Sequence, residues 1–208
     1  MQKLQIETLV LGAMATNCYL VMHRETKKLI IIDPGAQPER IISKIAQMDA
    51  QPVAVLLTHG HFDHIGAARC VADRYGIPVC GPEKEQEIFE DTQKNLSAMF
   101  GDPVTVRPDQ TFCDGQQVDL GGIAVKVIAT AGHTLGGACY YIPEEAVLFS
   151  GDTLFCASVG RTDFPTGSMS ALRDSIHTKL FVLPEDTAVY PGHNEATNIG
   201  YEKRYNPY

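Results

Sequence analysis

Basic residues are scarce in this chain of 208 residues: 17 Lys and Arg stand against 25 Asp and Glu, for a formal charge of −8. A nucleic-acid backbone is gripped by a stripe of Lys and Arg that releases its counterions. No such stripe is present, so a nucleic acid is excluded as partner and a small molecule is expected instead. Long apolar runs are missing too. No stretch approaches the roughly 18 apolar residues that a membrane span needs. Met1-Gln2-Lys3-Leu4-Gln5 has no basic segment leading into an apolar one, so no membrane partner and a cytoplasmic location are expected. The six cysteines, Cys18, Cys70, Cys80, Cys113, Cys139 and Cys156, never form a CxxC pair. That argues against a disulfide framework or a thiolate zinc site, and for reduced thiols that mostly fill buried space. A hydrophobic content of 44% at this length suits one well-buried core and hence a single domain over residues 1–208. Oligomeric state has no signature in the sequence.

What the chain does have is a concentration of metal-type ligands. Thr58-His59-Gly60-His61-Phe62-Asp63-His64 packs three imidazoles and a carboxylate into a few positions directly after the apolar run Val53-Ala54-Val55-Leu56-Leu57. Neutral imidazole nitrogen and carboxylate oxygen suit zinc, iron or manganese, and one cation rarely takes four side chains so close in sequence, so two cations are expected. If the loop stays extended, His59 and His61 fall on one side because side chains alternate with a period of two. Asp63 is then placed to cap a helix over Ile65 to Tyr75, turning His64 toward a second cation. Gly60 is read as removing bulk beside the metals.

The pattern Thr-His-x-His-x-Asp-His resembles the signature of the metallo-β-lactamase superfamily, and Thr58 to His64 matches it at every fixed position. The superfamily hydrolyses lactams, thioesters, lactones and nucleic acids and includes iron-dependent oxygenases, so the substrate has to be argued from other residues. Asp33-Pro34-Gly35 resembles the superfamily's Asp-Pro-Gly turn, whose aspartate supports the ligand loop. For Asp33 this implies a supporting role, against the plain alternative of a tight turn in which Gly35 supplies φ > 0.

The remaining pattern is of strands interrupted by helices. Strands are expected at Leu4 to Leu11, Asn17 to His23, Lys28 to Ile32, Val53 to Leu57 and Ile77 to Cys80, the last closed by Gly81-Pro82. More are expected at Val104 to Val106, Gln117 to Leu120, Ile123 to Ala129, Cys139 to Ile142, Ala146 to Phe149 and finally Thr187 to Tyr190. Gly121-Gly122 signals a hairpin. Ile41, Ile42, Ile45 and Met48 share one face of a helix over 38–49, and another helix starts near Met169. The polar stretch Glu83 to Phe100 suggests one or two surface helices and names no chemistry. Strands followed by a helix in both halves predict an α+β, αββα sandwich, with two mixed sheets face to face and helices outside.

Three more strands end in glycine followed at once by a metal-type ligand: Ile123 to Ile128 runs into Gly132-His133, Ala146 to Phe149 into Gly151-Asp152, and Ala188 to Tyr190 into Gly192-His193. Their joint occurrence requires these ends to gather at one rim of the sandwich. Carried over by position, the superfamily resemblance implies His59, His61 and His133 as ligands of one metal and Asp63, His64 and His193 of the other. Asp152 matches the bridging carboxylate, so Asp63 and Asp152 are also the catalytic carboxylates. Two divalent cations, two carboxylates and a bridging hydroxide leave a charge of about +1, which attracts an anionic substrate. The cations bring the pKa of bound water toward ~7 and polarise a carbonyl. His23 and His177 lack such a context and are expected to be structural.

Cys156 lies four residues beyond Asp152, where certain superfamily lactamases have a cysteine in place of that aspartate; it is read as a small buried residue. The aspartate and the absence of a leader argue against an antibiotic-hydrolysing enzyme, and the length leaves no room for the domain that the superfamily's nucleases insert. Gly160-Arg161-Thr162-Asp163-Phe164 resembles the small glyoxalase II-like hydrolases and the persulfide dioxygenases alike. Arg161 either touches substrate or pairs with Asp163 to fix its loop. Asn206-Pro207-Tyr208 and Pro191-Gly192-His193 resemble the hydrolases more closely. Longer glyoxalase II enzymes continue with a basic helical segment that grips glutathione, whereas this sequence ends at Tyr208 with Lys203 and Arg204. The resemblance implies a binuclear, zinc-type hydrolase of thioesters such as S-lactoylglutathione. A mononuclear iron persulfide dioxygenase and a metal-bound protein that binds a partner are the alternatives.

Overall fold

Strands that are apolar along their whole length need cover on both faces, and two sheets stacked between helices supply it. The computed structural model describes residues 3–100 and 102–208; Met1 and Gln2, from the segment read as leaderless, lie outside them, as does Gly101. The first sheet is built from β1 (Leu4–Leu11), β2 (Thr16–His23), β3 (Lys28–Ile32), β4 (Gln51–Leu56), β5 (Val79–Pro82) and β6 (Gln110–Phe112), neighbours in that order. β1 to β3 are antiparallel and β3 to β6 parallel. Between them run α1 (Pro38–Gln47), α2 (Phe62–Ile65), α3 (Ala68–Tyr75), α4 (Gln86–Glu90) and α5 (Ser97–Phe100). The second sheet comprises β7 (Gln117–Asp119), β8 (Ala124–Ala129), β9 (Ala138–Ile142) and β10 (Val147–Gly151), followed, after the short hairpin β11 (Leu154–Phe155) and β12 (Ser158–Val159) and helix α6 (Met169–Ser175), by β13 (Ala188–Pro191) and β14 (Thr197–Asn198). Helix α7 (Ile199–Tyr205) follows.

Side-chain alternation sorts the core into three layers. In β2 and β3, Leu20, Met22, Leu29 and Ile31 face α1 and α3, while Tyr19, Val21, Ile30 and Ile32 face the other sheet. From the second sheet Val127, Tyr140 and Phe149 meet that central layer, and Cys139, Leu148 and Val189 turn outward to Leu172, Ile176 and Ile199. This is the expected αββα sandwich of mixed sheets.

Several local expectations change. The segment Val104 to Val106 is no strand: Val106 N–H donates to the Phe89 carbonyl and the Val104 carbonyl accepts from Asn95, so its polar groups are spent on the 86–97 loop. The edge strand is the more polar Gln110–Phe112 instead. Strand β5 is shifted to include Gly81 and Pro82, which had been taken as its closing turn. The 83–100 stretch forms the two short helices α4 and α5, with its polar residues largely outward, while Ile88, Phe89 and Leu96 are buried. The helix from Met169 loosens into a π-turn over Ile176–Leu180. The strand at Ala188–Pro191 is not the last, because β14 and α7 follow, the helix capped by Asn198 Oδ1 accepting from Tyr201 N–H. In the Asp33-Pro34-Gly35 turn the positive φ belongs to Asp33, at 50°. Gly35 is there for close approach: a Cβ on it would lie 1.5 Å from the Asp63 carbonyl oxygen. Cys18, Cys80 and Cys139 are buried as expected, whereas Cys70 and Cys113 are exposed and Cys156 is intermediate.

Candidate metal centre

Because β10 pairs parallel with β13 and antiparallel with β9, which is antiparallel to β8, the strands β8, β10 and β13 all point the same way. Their C-terminal ends meet the end of β4 across the sandwich, so all seven ligand-type residues reach one rim, two of them on α2. Asp63 does not cap a helix there. The N-cap of α2 is His61, without a side-chain bond, and the helix is four residues long. Asp63 sits in its first turn, and its Oδ2 accepts from Thr16 Oγ1–H at 2.7 Å.

The ligand atoms fall into groups. His59 Nε2 lies 3.1 Å and His133 Nε2 2.9 Å from His61 Nδ1. Opposite them, His193 Nε2 and His64 Nε2 approach Asp63 Oδ2 at 3.4 and 3.5 Å. Asp152 lies between the groups, its Oδ1 3.4 Å from His64 Nε2 and its Oδ2 3.5 Å from His193 Nε2 and 3.6 Å from His133 Nε2. These separations are near the edge of a tetrahedron whose bonds to a central ion are roughly 2.0–2.2 Å long. The sets His59/His61/His133, His59/His64/Asp152 and Asp63/His64/His193 each offer atoms within 4.8 Å of one another. His64 Nε2 and Asp152 Oδ1 are buried with no hydrogen-bond partner among the described residues. Donors of this kind, left without partners in a dry place, are what a divalent cation satisfies, so the residues fit the metal that the arrangement implies.

Second contacts fix which ring nitrogen faces inward. Thr58 Oγ1–H donates to Asp33 Oδ2 at 2.6 Å, and Thr58 N–H to Oδ1 at 2.8 Å. His59 Nδ1 is 3.1 Å from Thr58 Oγ1, and His64 Nδ1 is 2.9 Å from Asp33 Oδ2. A proton on each Nδ1 leaves each Nε2 lone pair for the centre. One buried carboxylate, Asp33, thereby orients a histidine in both groups. His133 Nδ1–H does the same by donating to the Arg161 carbonyl at 2.7 Å.

The two groups differ in charge. Burial first, and the other imidazoles second, hold His59 well below the ordinary histidine range; burial and the His133 ring push His61 down to about 3. For His64 burial again works against charge, but Asp63, Asp152 and Asp33 outweigh it and raise this group well above its usual value. Burial opposes ionisation of Asp152 also, yet the neighbouring His64 charge lowers that carboxyl to about 2.

The Arg161 guanidinium pairs with both Asp163 oxygens at 2.6 Å and lies 3.9 Å from the centre of the Phe164 ring, the contacts that the loop-fixing reading expects. Cys156 belongs to none of the ligand groups among the described residues. His23 and His177 are remote, accepting from Thr26 N–H and touching the Tyr208 carbonyl respectively. Lys203 is engaged with Glu185.

Three contributors had no reading as site residues. Asn17 donates to the Pro191 and Asn194 carbonyls and so clamps the His193 turn; its signal was an amide inside an otherwise apolar strand. Thr16 holds Asp63. Glu85, fully buried, accepts from Gly60 N–H at 3.0 Å and Gly136 N–H at 2.9 Å, tying the His59–His61 loop to the loop after His133. Burial raises its carboxyl to about 7. Gly60 is small for this packing and not for the metals, since a Cβ would meet Ile88 Cγ2 at 2.8 Å and Phe89 N at 3.0 Å. A glutamate in a polar stretch carries no pattern that marks it.

Comparison with known proteins gives concordant findings. The sequence pattern described as Metallo-beta-lactamase superfamily matches residues 11–193. A Haemophilus influenzae protein named hydroxyacylglutathione hydrolase GloC is 38% identical over 99% of this chain and 98% of its own. Among solved structures, one called BLEG-1 B3 metallo-beta-lactamase aligns with a TM-score of 0.93 and 40% identity over 98% of both chains. Another, TTHA1623 in a di-iron-bound form, aligns at 0.87 and 35% over 97% of this chain and 98% of that one.

Proposed function

The chain belongs to the metallo-beta-lactamase superfamily, and from that premise we propose that it is a binuclear hydrolase of thioesters, with hydroxyacylglutathione esters of the S-lactoylglutathione type as substrates. The observation that carries the reading is Asp152, whose two oxygens face His64 on one side and His133 and His193 on the other. In this reading His59, His61 and His133 hold one divalent ion, Asp63, His64 and His193 the second, and Asp152 both. Two such ions, zinc first and iron or manganese next, would supply a nucleophilic water at neutral pH and polarise the carbonyl.

The side chains have their own tasks. Asp33 keeps His59 and His64 in the tautomers that offer Nε2, and the Arg161 carbonyl does so for His133. Thr16 holds one Asp63 oxygen and restricts how that carboxylate can turn. Phe164, edge-on to His61 at 5.9 Å, and Phe155, edge-on to His193 at 6.1 Å, limit how these two imidazoles can turn. The name of the GloC relative supports the thioester reading. A small-molecule partner only, with neither nucleic acid nor membrane, and a cytoplasmic location belong to the same proposal.

Lactam hydrolysis is the second reading, favoured by the similarity to BLEG-1. The test is metal analysis of the purified protein together with turnover of S-lactoylglutathione and of a chromogenic cephalosporin, with dissolved oxygen monitored throughout. Two metals per chain and thiol release without oxygen uptake are expected. Cephalosporin cleavage without thioester cleavage would replace the first reading by the second. One iron per chain, with oxygen consumed when glutathione persulfide is added, would overturn both.

A further inference from the structure

On the Asp63 side of the metal centre, a groove of about 630 Å³ runs outward between the β1–β2 hairpin tip and α5. Its walls include Met14 at the hairpin tip, Phe62 from the metal-binding motif, and Phe100, whose ring stacks on Phe62 with centroids 5.4 Å apart and planes 11° from parallel. Met14 and Phe100 are large apolar side chains left 47% and 52% exposed. Apolar side chains that remain in water around a concave surface mark a place where something apolar binds. The groove meets the metal centre at one residue, Asp63, which lines it and whose Oδ2 accepts from Thr16 at the base of the same hairpin.

The charges decide what fits. Among the described residues, the only ionisable ones lining the groove are Asp63 and Asp102, with no Lys or Arg. With no cationic side chain among the described lining residues, an anionic or strongly polar group finds no partner there, and a tripeptide or nucleotide thiol is both. The acyl side of a thioester is the arm that can be uncharged and apolar. Resting on the thioester reading above, we infer that this groove is an acyl subsite, and that it extends the substrate range from short hydroxyacyl groups to apolar acyl chains of several carbons.

The test uses metal-loaded protein and one thiol, glutathione, carrying acyl groups of increasing length. Each added methylene buried in the groove is expected to raise kcat/KM about threefold to fourfold, the ratio that corresponds to roughly 0.8 kcal/mol, until the groove is filled. Phe100→Ala and Met14→Ser change exposed side chains outside the ligand set. They are expected to flatten this dependence while leaving S-acetylglutathione turnover within about twofold of the parent. A separate reading comes from S-alkylglutathiones, thioethers that cannot be hydrolysed, with binding measured by calorimetry. S-octylglutathione should bind more tightly than S-methylglutathione in the parent and lose that advantage in both variants. If no thioester turns over but the alkyl advantage is present and lost in the variants, the subsite stands and the hydrolase reading falls. A binding or turnover profile that is flat with chain length, or unchanged by both substitutions, overturns the subsite.

Discussion

The two ligand groups sit a side chain apart on the same rim, yet they have opposite electrostatics. His59, His61 and His133 are buried to 5% exposure or less and have no carboxylate within the group other than the shared Asp152. His193 and Asp63 keep 20% and 13% of their side chains in contact with solvent, and Asp63, Asp33 and Asp152 surround His64 with negative charge. The first is a dry cradle in which burial holds His59 and His61 against protonation. The second is a wetter, anionic cradle in which His64 favours its proton until a cation displaces it. Similar imidazoles therefore behave differently because of their neighbours, and Asp152 belongs to both settings.

The harshest way to break the comparison is to remove the shared residue. Asp152→Ala should strip metal from both groups and reduce turnover by about three orders of magnitude or more, the equivalent of roughly 4 kcal/mol of barrier. Metal content by elemental analysis, read beside kcat, checks it. A fully loaded variant of near-parent activity would show that the two groups do not depend on Asp152.

Removing one residue from each side separates the cradles. His133→Ala should leave about one metal per chain, held by Asp63, His64 and His193, whereas His193→Ala should leave the metal in the three-histidine group. Activity should fall at least about a hundredfold in each, since losing a ligand costs more than losing a partner behind one. Spectra of the cobalt-substituted proteins tell whether the remaining ion lies among three nitrogens or beside a carboxylate. Identical spectra in the two variants would mean that the groups are not distinct sites.

The smallest expected effect sharpens the contrast from behind, through Glu85. Burial lifts its carboxyl to about 7 from the usual 4.5. The folded protein thus takes up a proton that the unfolded chain does not hold between those values. Its stabilising contribution is complete below about 4.5 and is lost as pH rises through about 7, a difference of up to about 3 kcal/mol. Glu85→Gln should remove this component, so that the variant's stability relative to the parent improves from pH 5 to pH 8, measured by denaturant unfolding of metal-free protein. An unchanged pH dependence would show that Glu85 stays ionised in the fold.

The sequence by itself determined the sandwich and which ligand-type residues stand at its strand ends. Unbroken apolar runs such as Leu29–Ile32 need cover on both faces, and four strand ends that each deliver a histidine or aspartate require a shared rim. Those are local properties of period and spacing, readable from the residues alone. Tertiary structure decided everything that depends on a partner distant in the chain. Asp63 could be taken for a helix cap because its neighbours in sequence permit it, but Thr16, 47 positions away, holds its oxygen. Gly60 reads as space for a metal until Ile88 and Phe89 are packed against it. Glu85 has no pattern at all, and it acquires a role only when folding brings two glycine N–H groups to a carboxylate that water cannot reach. Ligand identity is covalent chemistry carried by each residue, whereas the charge, tautomer and bracing of those ligands come from burial and long-range contact, which exist only in the folded chain.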